Sequence, residues 1–346
     1  MSMGAPRRRA SIEPTRRASR RHAGVSLVEL MVGMTVSLIV VGALASSFIG
    51  VLQGSRSLAG MADIADSGEV TMMLIGDAIR QAGYGELVGS EVALGPGDVE
   101  VYRSQTLLAD EVHLAGCSGA RMVDDTAAAP VCGPPTNTNF DTLRVGFQSD
   151  TVLTAAQGPV TDCLGLAVPQ AALPLDHIGR GRTPERPIVR NTFYGWDGAI
   201  WCRGNGRTVP GVPVTADPQQ LASDVEQFKV FYGFDDARYG NAPGDPVASA
   251  RSLRDAAFLN GLPPETRPWD FVVTVHVCMV IRSDPDRTAS ARSTAGGTFR
   301  RCPSNAAEAG ALLPEMASPD RLVRRTFTKV FTVRARSNAN PLQGMP

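Results

Sequence analysis

The reading turns on residues 24–52, GVSLVELMVGMTVSLIVVGALASSFIGVL. From Leu30 to Leu52 it runs 23 residues without a charge. At about 1.5 Å per residue, a helix of that length reaches roughly 35 Å, enough to cross a hydrocarbon layer of about 30 Å. A cleaved secretory signal also has a basic head and an apolar core, but such cores usually run only about 7–15 residues. Glu29, at the mouth of the run, is its one ionisable side chain. A carboxylate beside hydrocarbon is costly and calls for a partner.

Outward from this stretch the charge is split. The chain has 346 residues with 34 Lys+Arg and 34 Asp+Glu, so its formal charge is zero. Residues 1–24 hold seven Arg and one acid, Glu13, for a net of +6. The other 322 residues hold 27 bases and 33 acids, a net of −6. The basic head favours a cytoplasmic N-terminal side, and the rest of the chain is then expected outside. Without a basic surplus in the body, no direct nucleic-acid contact is expected.

No proline occurs between Thr15 and Gly95, and 23 of the 25 prolines follow Gly95. A long helix giving way to a loop-rich domain has this signature. After Gln53 the pattern turns amphipathic, with Met61, Ala65, Gly68, Met72, Ile75, Ile79 and Ala82 on one face. Asp63, Asp66, Glu69, Asp77 and Arg80 lie off that stripe, and Gly83-Tyr84-Gly85 supplies a helix stop. Gly33, Gly42, Gly50 and Gly54 suit either close helix packing or local softening of the helix.

Beyond residue 86 the chain reads as strands and loops. Residues 141–148 (DTLRVGFQ) alternate as a half-buried strand, with Leu143, Val145 and Phe147 on one face. Residues 188–196 and 199–203 flank Asp197-Gly198, a two-residue hairpin turn. Residues 221–234 (LASDVEQFKVFYGF) suggest a short helical start leading into a strand, and 271–281 (FVVTVHVCMVI) and 324–334 (RRTFTKVFTVR) are further strands. The expected fold is α+β: a long N-terminal helix, half membrane-spanning and half amphipathic, packed on an antiparallel β-sheet domain.

Gly24-Val25-Ser26-Leu27-Val28-Glu29-Leu30-Met31 resembles the processing site of type IV prepilins. That site has a Gly, a hydrophobic first mature residue, and Glu at the fifth mature place before an apolar helix. The resemblance implies cleavage after Gly24 by a prepilin peptidase, N-methylation of Val25, and Glu29 as an assembly carboxylate. Physically, the new α-amino group is a cation, and Glu29 of a neighbouring subunit can pair with it and fix axial register. The chain departs from the family in having Val25 where Phe or Met is usual, and in its long leader; a start downstream of Met1 would shorten it.

Other segments are similar to the PilW-type minor pilins of type IV pili. They are residues 77–83 (DAIRQAG) with Tyr84-Gly85, 162–165 (DCLG), 201–206 (WCRGNG), 225–233 (VEQFKVFYG) and 324–336. The J-type minor pseudopilin of type II secretion, which shares the N-terminal helix, is the competing resemblance. The likeness implies a pilin-like organisation: leader 1–24, transmembrane and assembly helix 25–52, amphipathic half 53–85, and β-rich periplasmic domain 86–346. It also implies a non-enzymatic subunit of an initiating or tip complex, serving twitching, adhesion or DNA uptake. The implied partners are the prepilin peptidase, other minor pilins, the major pilin, the inner-membrane assembly platform and a tip adhesin. A tip-located binding module, with aromatics at 193–201, and a membrane-anchored enzyme are the other classes considered.

The six cysteines, Cys117, Cys132, Cys163, Cys202, Cys278 and Cys302, form no CxxC pair, so zinc is poorly supported. On the outer side of a membrane they point to disulfides, with 15 connectivities open. Local pairing would join Cys117 to Cys132 and Cys163 to Cys202, the latter between two resembling segments, and leave Cys278 with Cys302. A buried free thiol at Cys278 is the alternative. No catalytic motif of the GxSxG, HExxH or P-loop kind occurs, and neither a metal nor a cofactor is expected. His113, His177 and His276 are scattered, and 234–245 (FDDARYGNAPGD) lacks EF-hand spacing and reads as a solvated turn.

Overall fold

The computed structural model describes residues 24–84, 87–89, 102–104, 113–124, 131–148, 161–168, 170–171, 186–207, 217–240, 249–283, 298–320 and 322–334. The chain divides into two compact units after Leu52. Helix α1 (Leu27–Gln81) is followed by β1 (Leu87–Gly89), β2 (Tyr102–Ser104), β3 (Leu114–Cys117), β4 (Met122–Asp124), β5 (Val131–Cys132), β6 (Thr142–Gln148) and β7 (Gln170–Ala171). Then come β8 (Arg186–Trp196), β9 (Ala199–Gly204), β10 (Gln219–Ala222), β11 (Val225–Phe234), α2 (Asp236–Tyr239), β12 (Ser252–Arg254) and α3 (Ala256–Asn260). The last elements are β13 (Val272–Arg282), β14 (Thr298–Arg300), α4 (Ala306–Ala309), β15 (Glu315–Ala317) and β16 (Arg324–Thr332).

In the second unit, a four-stranded antiparallel sheet has the order β12-β11-β13-β16, and a six-stranded one the order β10-β9-β8-β6-β3, with β7 paired to β8. Alternation along β13 sends Val275, Val277, Met279 and Ile281 into the main core and Cys278 and Val280 to the opposite face. Phe228, Val230, Tyr232 and Phe234 of β11 enter the same core, as do Phe327 and Phe331 of β16. Against these the helix buries Ile64, Met72, Ile75, Ala78, Ile79 and Ala82.

The seating is close. A Cβ on Gly68 would collide with the Phe327 ring, and one on Gly76 with the Phe331 ring. Eight residues of helix cover about 12 Å and four of strand about 13 Å, so the two phenylalanines match two helical glycines in step. Arg80 lies over the Phe331 ring at 5.4 Å, and Lys329 pairs with Glu69. The helix ends where Gly83 takes a φ of +71°, and the Gly83 N–H donates to Gly146 O of β6 at 2.9 Å.

Three expectations need correction. Met61 is 45% exposed, because the buried stripe begins only at Ile64. Residues 142–148 are buried at every position rather than half-buried, Thr142 of the second face donating to Ala120 O. The helical start at Leu221 is instead strand β10, paired with β9 and separated from β11 by a turn in which Asp224 has a φ of +56°. Cys278 is bonded to Cys302, the pair left by the local pairing of the other four cysteines. The hairpin turn at Asp197-Gly198, with φ values of +48° and +69°, has the left-handed pair that a two-residue turn needs.

The two sheets are joined by buried polar contacts. The backbone of Phe140 bridges that of Phe228, and beside it Lys229 Nζ lies 2.7 Å from Asp141 Oδ1. Asp141 also accepts from the N–H groups of Gly119 (2.9 Å) and Val230 (2.9 Å). Burial pushes the Asp141 carboxyl up, while Lys229 and those two N–H groups pull it down. Asp141→Ala should cost about 3–5 kcal/mol, because it leaves the Lys229 ammonium buried without its counter-charge. Thermal unfolding of the full chain in detergent checks this, and Asp141→Ala with Lys229→Met should recover part of the loss.

A second cluster closes the start of β16. Arg324 contacts Glu226 at 2.7 Å and Asp320 at 2.6 Å, and Arg301 contacts Glu308 at 2.8 Å. Hydrogen bonds from Arg324 hold the Asp320 carboxyl far below its usual range, and those from Arg301 hold Glu308 at about 2. A depressed folded pKa gives stability that is complete above the unfolded value, near 4, and is lost as pH falls through the folded value. Melting temperature should therefore drop as pH is lowered from about 5 toward 2, less steeply in Asp320→Asn.

Candidate functional site

The first unit is understood by what it leaves uncovered. Helix α1 begins at Leu27, and its first bond runs from Leu30 N–H to Ser26 O at 3.1 Å. Gly24, Val25 and Ser26 precede it and are exposed. Glu29 sits in the first turn, where a carboxylate complements the positive end of the helix dipole. It is exposed and has no hydrogen-bond or ion-pair partner among the described residues.

Residues Leu27–Leu52 form a 26-residue apolar span with no residue buried in this chain. Leu38, Ile39, Leu44 and Phe48 are 64–76% exposed. Such a surface must be covered by lipid or by other helices. Three of its four hydroxyls bond within the helix: Thr35 donates to Val32 O at 2.9 Å, Ser37 to Gly33 O at 2.7 Å and Ser46 to Ala43 O at 2.8 Å. The span thus presents an apolar exterior despite its polar atoms. A Cβ on Gly33, Gly42, Gly50 or Gly54 would meet nothing within 4 Å, so no contact inside the chain requires glycine there.

In the second unit, the segments singled out from the sequence serve as scaffold. Asp162 Oδ1 accepts from the N–H groups of Leu164 (2.9 Å) and Leu166 (3.0 Å), and its Oδ2 from Gly206 (2.7 Å). A Cβ on Gly204 or Gly206 would strike the Asp162 side chain, which explains why WCRGNG carries glycines opposite DCLG. The Cys163–Cys202 bond ties the same two segments, and Asn191 Oδ1 accepts from Cys163 N–H at 2.9 Å. DAIRQAG and the final strand meet where Arg80 covers Phe331. The other two bonds are Cys117–Cys132 and Cys278–Cys302, each with Cα atoms 5.7 Å apart.

No group of three or more His, Cys, Asp or Glu side chains is placed to hold a metal ion among the described residues. His113 is buried, and burial pulls the His276 imidazole below its usual pKa, favouring the neutral ring at pH 7. Asp235, considered for a cation loop, caps α2 by accepting from Arg238 N–H at 3.2 Å and also accepts from Ser249 N–H at 3.1 Å; Asp236 pairs with Arg254 at 3.2 Å. His22, His177, the leader before Gly24, Gly85, Asn241 and Asp245 lie outside the described residues. Sequence reading missed the Asp141–Lys229 pair and the Arg324 cluster. The partners that tie them to the rest of the fold lie 88 and 98 residues away, although Asp320 stands four residues before Arg324.

Comparison with known proteins adds two family matches. The family described as type IV pilus-assembly protein W matches residues 188–335, which run from β8 through β16. The prokaryotic N-terminal methylation motif matches residues 19–45, enclosing Gly24, Val25 and Glu29. No curated protein matches the chain. Among solved structures, a type IV-like pilin from Thermus thermophilus is similar at 13% identity and a TM-score of 0.35, over 79% of this chain and 97% of that one. The methylation motif thus heads an uncovered apolar helix, and residues 188–335 of the sheet domain are similar to type IV pilus-assembly protein W.

Proposed function

We propose that this chain is a PilW-type minor pilin of the type IV prepilin family, cut after Gly24 by a prepilin peptidase and methylated at Val25. It then stands as a single-pass inner-membrane protein with its β domain in the periplasm, and enters the initiating or tip complex of a type IV pilus. The observation that carries this reading is the uncovered apolar span Leu27–Leu52 with Glu29, unpartnered, in its first turn. In the membrane, lipid covers the span; in the filament, neighbouring helices replace the lipid, and the four open glycines let their backbones come close. Glu29 pairs with the methylated α-amino group of a neighbouring subunit and fixes how far one helix slides along the next. The Arg-rich head supports a cytoplasmic N-terminal side, and the three disulfides support an oxidising compartment for the β domain.

In this reading the protein is structural and non-enzymatic. Its partners are other minor pilins, the major pilin, the inner-membrane platform and a tip adhesin, with twitching, adhesion or DNA uptake as outputs of the assembled pilus. Mass spectrometry of the mature N-terminus tests the processing step. The expected species is N-methyl-Val25; an intact leader, or a terminus beyond Leu52, would overturn it. Glu29→Ala and Glu29→Gln should insert and be cut normally, yet reduce surface pili about tenfold or more, counted by electron microscopy. Normal pilus numbers in both variants would sink the register mechanism.

A further inference from the structure

The junction of the two sheets leaves an open cleft of about 430 Å³, a volume usual for small-molecule sites. Its walls are the β10–β11 turn with the start of β11, the end of β13, part of β14, and the 137–140 segment that leads into β6. Main-chain hydrogen bonds fix these walls. Val225 N–H donates to Gly198 O at 2.8 Å, Arg282 N–H to Asp224 O at 2.9 Å, and Phe228 N–H to Asn139 O at 2.8 Å. Strand β8 backs the Phe140 ring, since a Cβ on Gly195 would strike it. The cleft is thus formed before anything enters it, and a ligand need not order it.

Several polar groups around it keep unused hydrogen-bonding capacity. The Asp224 carboxylate and the Arg282 guanidinium stand 3.7 Å apart, too far for a hydrogen bond, and their side chains are 25% and 38% exposed. Neither side chain has another hydrogen-bond or ion-pair partner among the described residues. Asn137 Oδ1 accepts from Asn139 N–H at 3.0 Å and Gln227 Oε1 from Cys302 N–H at 2.7 Å. The amino groups of both amides, and the whole Asn139 amide, have no partner among the described residues. Glu226 differs, because Arg324 holds both its oxygens at 2.7 Å. Asp224 is therefore balanced by Arg282 and Glu226 by Arg324, so the lining draws neither an anion nor a cation. The partly buried rings of Phe140 and Phe299 add apolar surface.

We propose that this cleft binds one ring of a neutral hexopyranose. Neighbouring hydroxyls on such a ring suit the Asp224–Arg282 gap: one donates to the carboxylate while the next accepts from the guanidinium. The spacing that is too long for a direct hydrogen bond becomes the room for that pair. The amide N–H groups of Asn137, Asn139 and Gln227 donate to further hydroxyls, and the C–H face of the sugar lies against a phenylalanine ring. The step is reversible binding, with no bond made or broken. It does not rest on the pilus-subunit reading, whose tests have other readouts.

The test is saturation-transfer NMR on the full-length chain in a detergent without a sugar headgroup. Glucose, galactose, mannose and N-acetylglucosamine are added singly, each free and as its methyl glycoside, with glycerol and glucuronate as controls. At least one hexose should bind with a Kd of about 1 mM. Equal binding of its glycoside assigns the end of a glycan, and binding of the free form alone assigns a soluble sugar; either supports the site. Asn139→Ala removes an exposed amide, and Asp224→Asn keeps a residue that tolerates the left-handed turn. Each should weaken binding about tenfold with the circular dichroism spectrum unchanged. No signal from any hexose, an equal signal from glycerol or glucuronate, or unchanged binding in both variants would overturn the proposal.

Discussion

The β domain depends on the seating of its helix. Phe327 and Phe331, four residues apart on β16, press into α1 at Gly68 and Gly76, eight residues apart on the helix. That match lets a helix and a strand run side by side with their repeats in phase. It also carries Met72, Ile75 and Ile79 into full burial against β11 and β13. A larger residue at either glycine would lift the helix from the sheet and open the core along its length.

Around this seam the fold uses directed contacts where burial alone would leave the arrangement loose. Asp141 and Lys229 join the two sheets, bonded to each other and to Gly119 N–H, Val230 N–H and Thr138 O. Asp162 organises a loop by accepting three backbone N–H groups, and a disulfide locks that loop to β9. Arg324, only 4% exposed, holds Glu226 and Asp320 together at the start of the last strand. Each device couples segments far apart in sequence. Among the described residues the first unit has no such devices. Thr35, Ser37 and Ser46 bond only to their own helix, and the unit's apolar surface is left for other molecules to cover.

Much of this was legible from the chain. The uncharged run, the basic head, and Gly24 with Glu29 are local patterns whose meaning rests on length and charge. The helix stripe from Gly68 to Ala82 and the hairpin at Asp197-Gly198 follow from backbone periodicity and from which residues tolerate positive φ. The failures are also physical. Met61 continues the helical stripe, but what covers a stripe is decided by the sheet. Leu221 has neighbours acceptable to a helix, yet pairing of its strand with β9 overrides that local preference.

By itself the sequence determined the class of each segment: a charged head, a membrane-length rod with one acid at its lip, an amphipathic continuation, and alternating strands. Those properties depend on side chains within one or two turns of each other. Only the tertiary structure decided which strands are neighbours, which cysteines meet, that β6 is covered on both faces, and that Arg121 is pinned between Tyr194 and Trp196. Such choices join residues tens to hundreds of positions apart. They are settled by the packing of the whole core, and no local window of the chain contains that information.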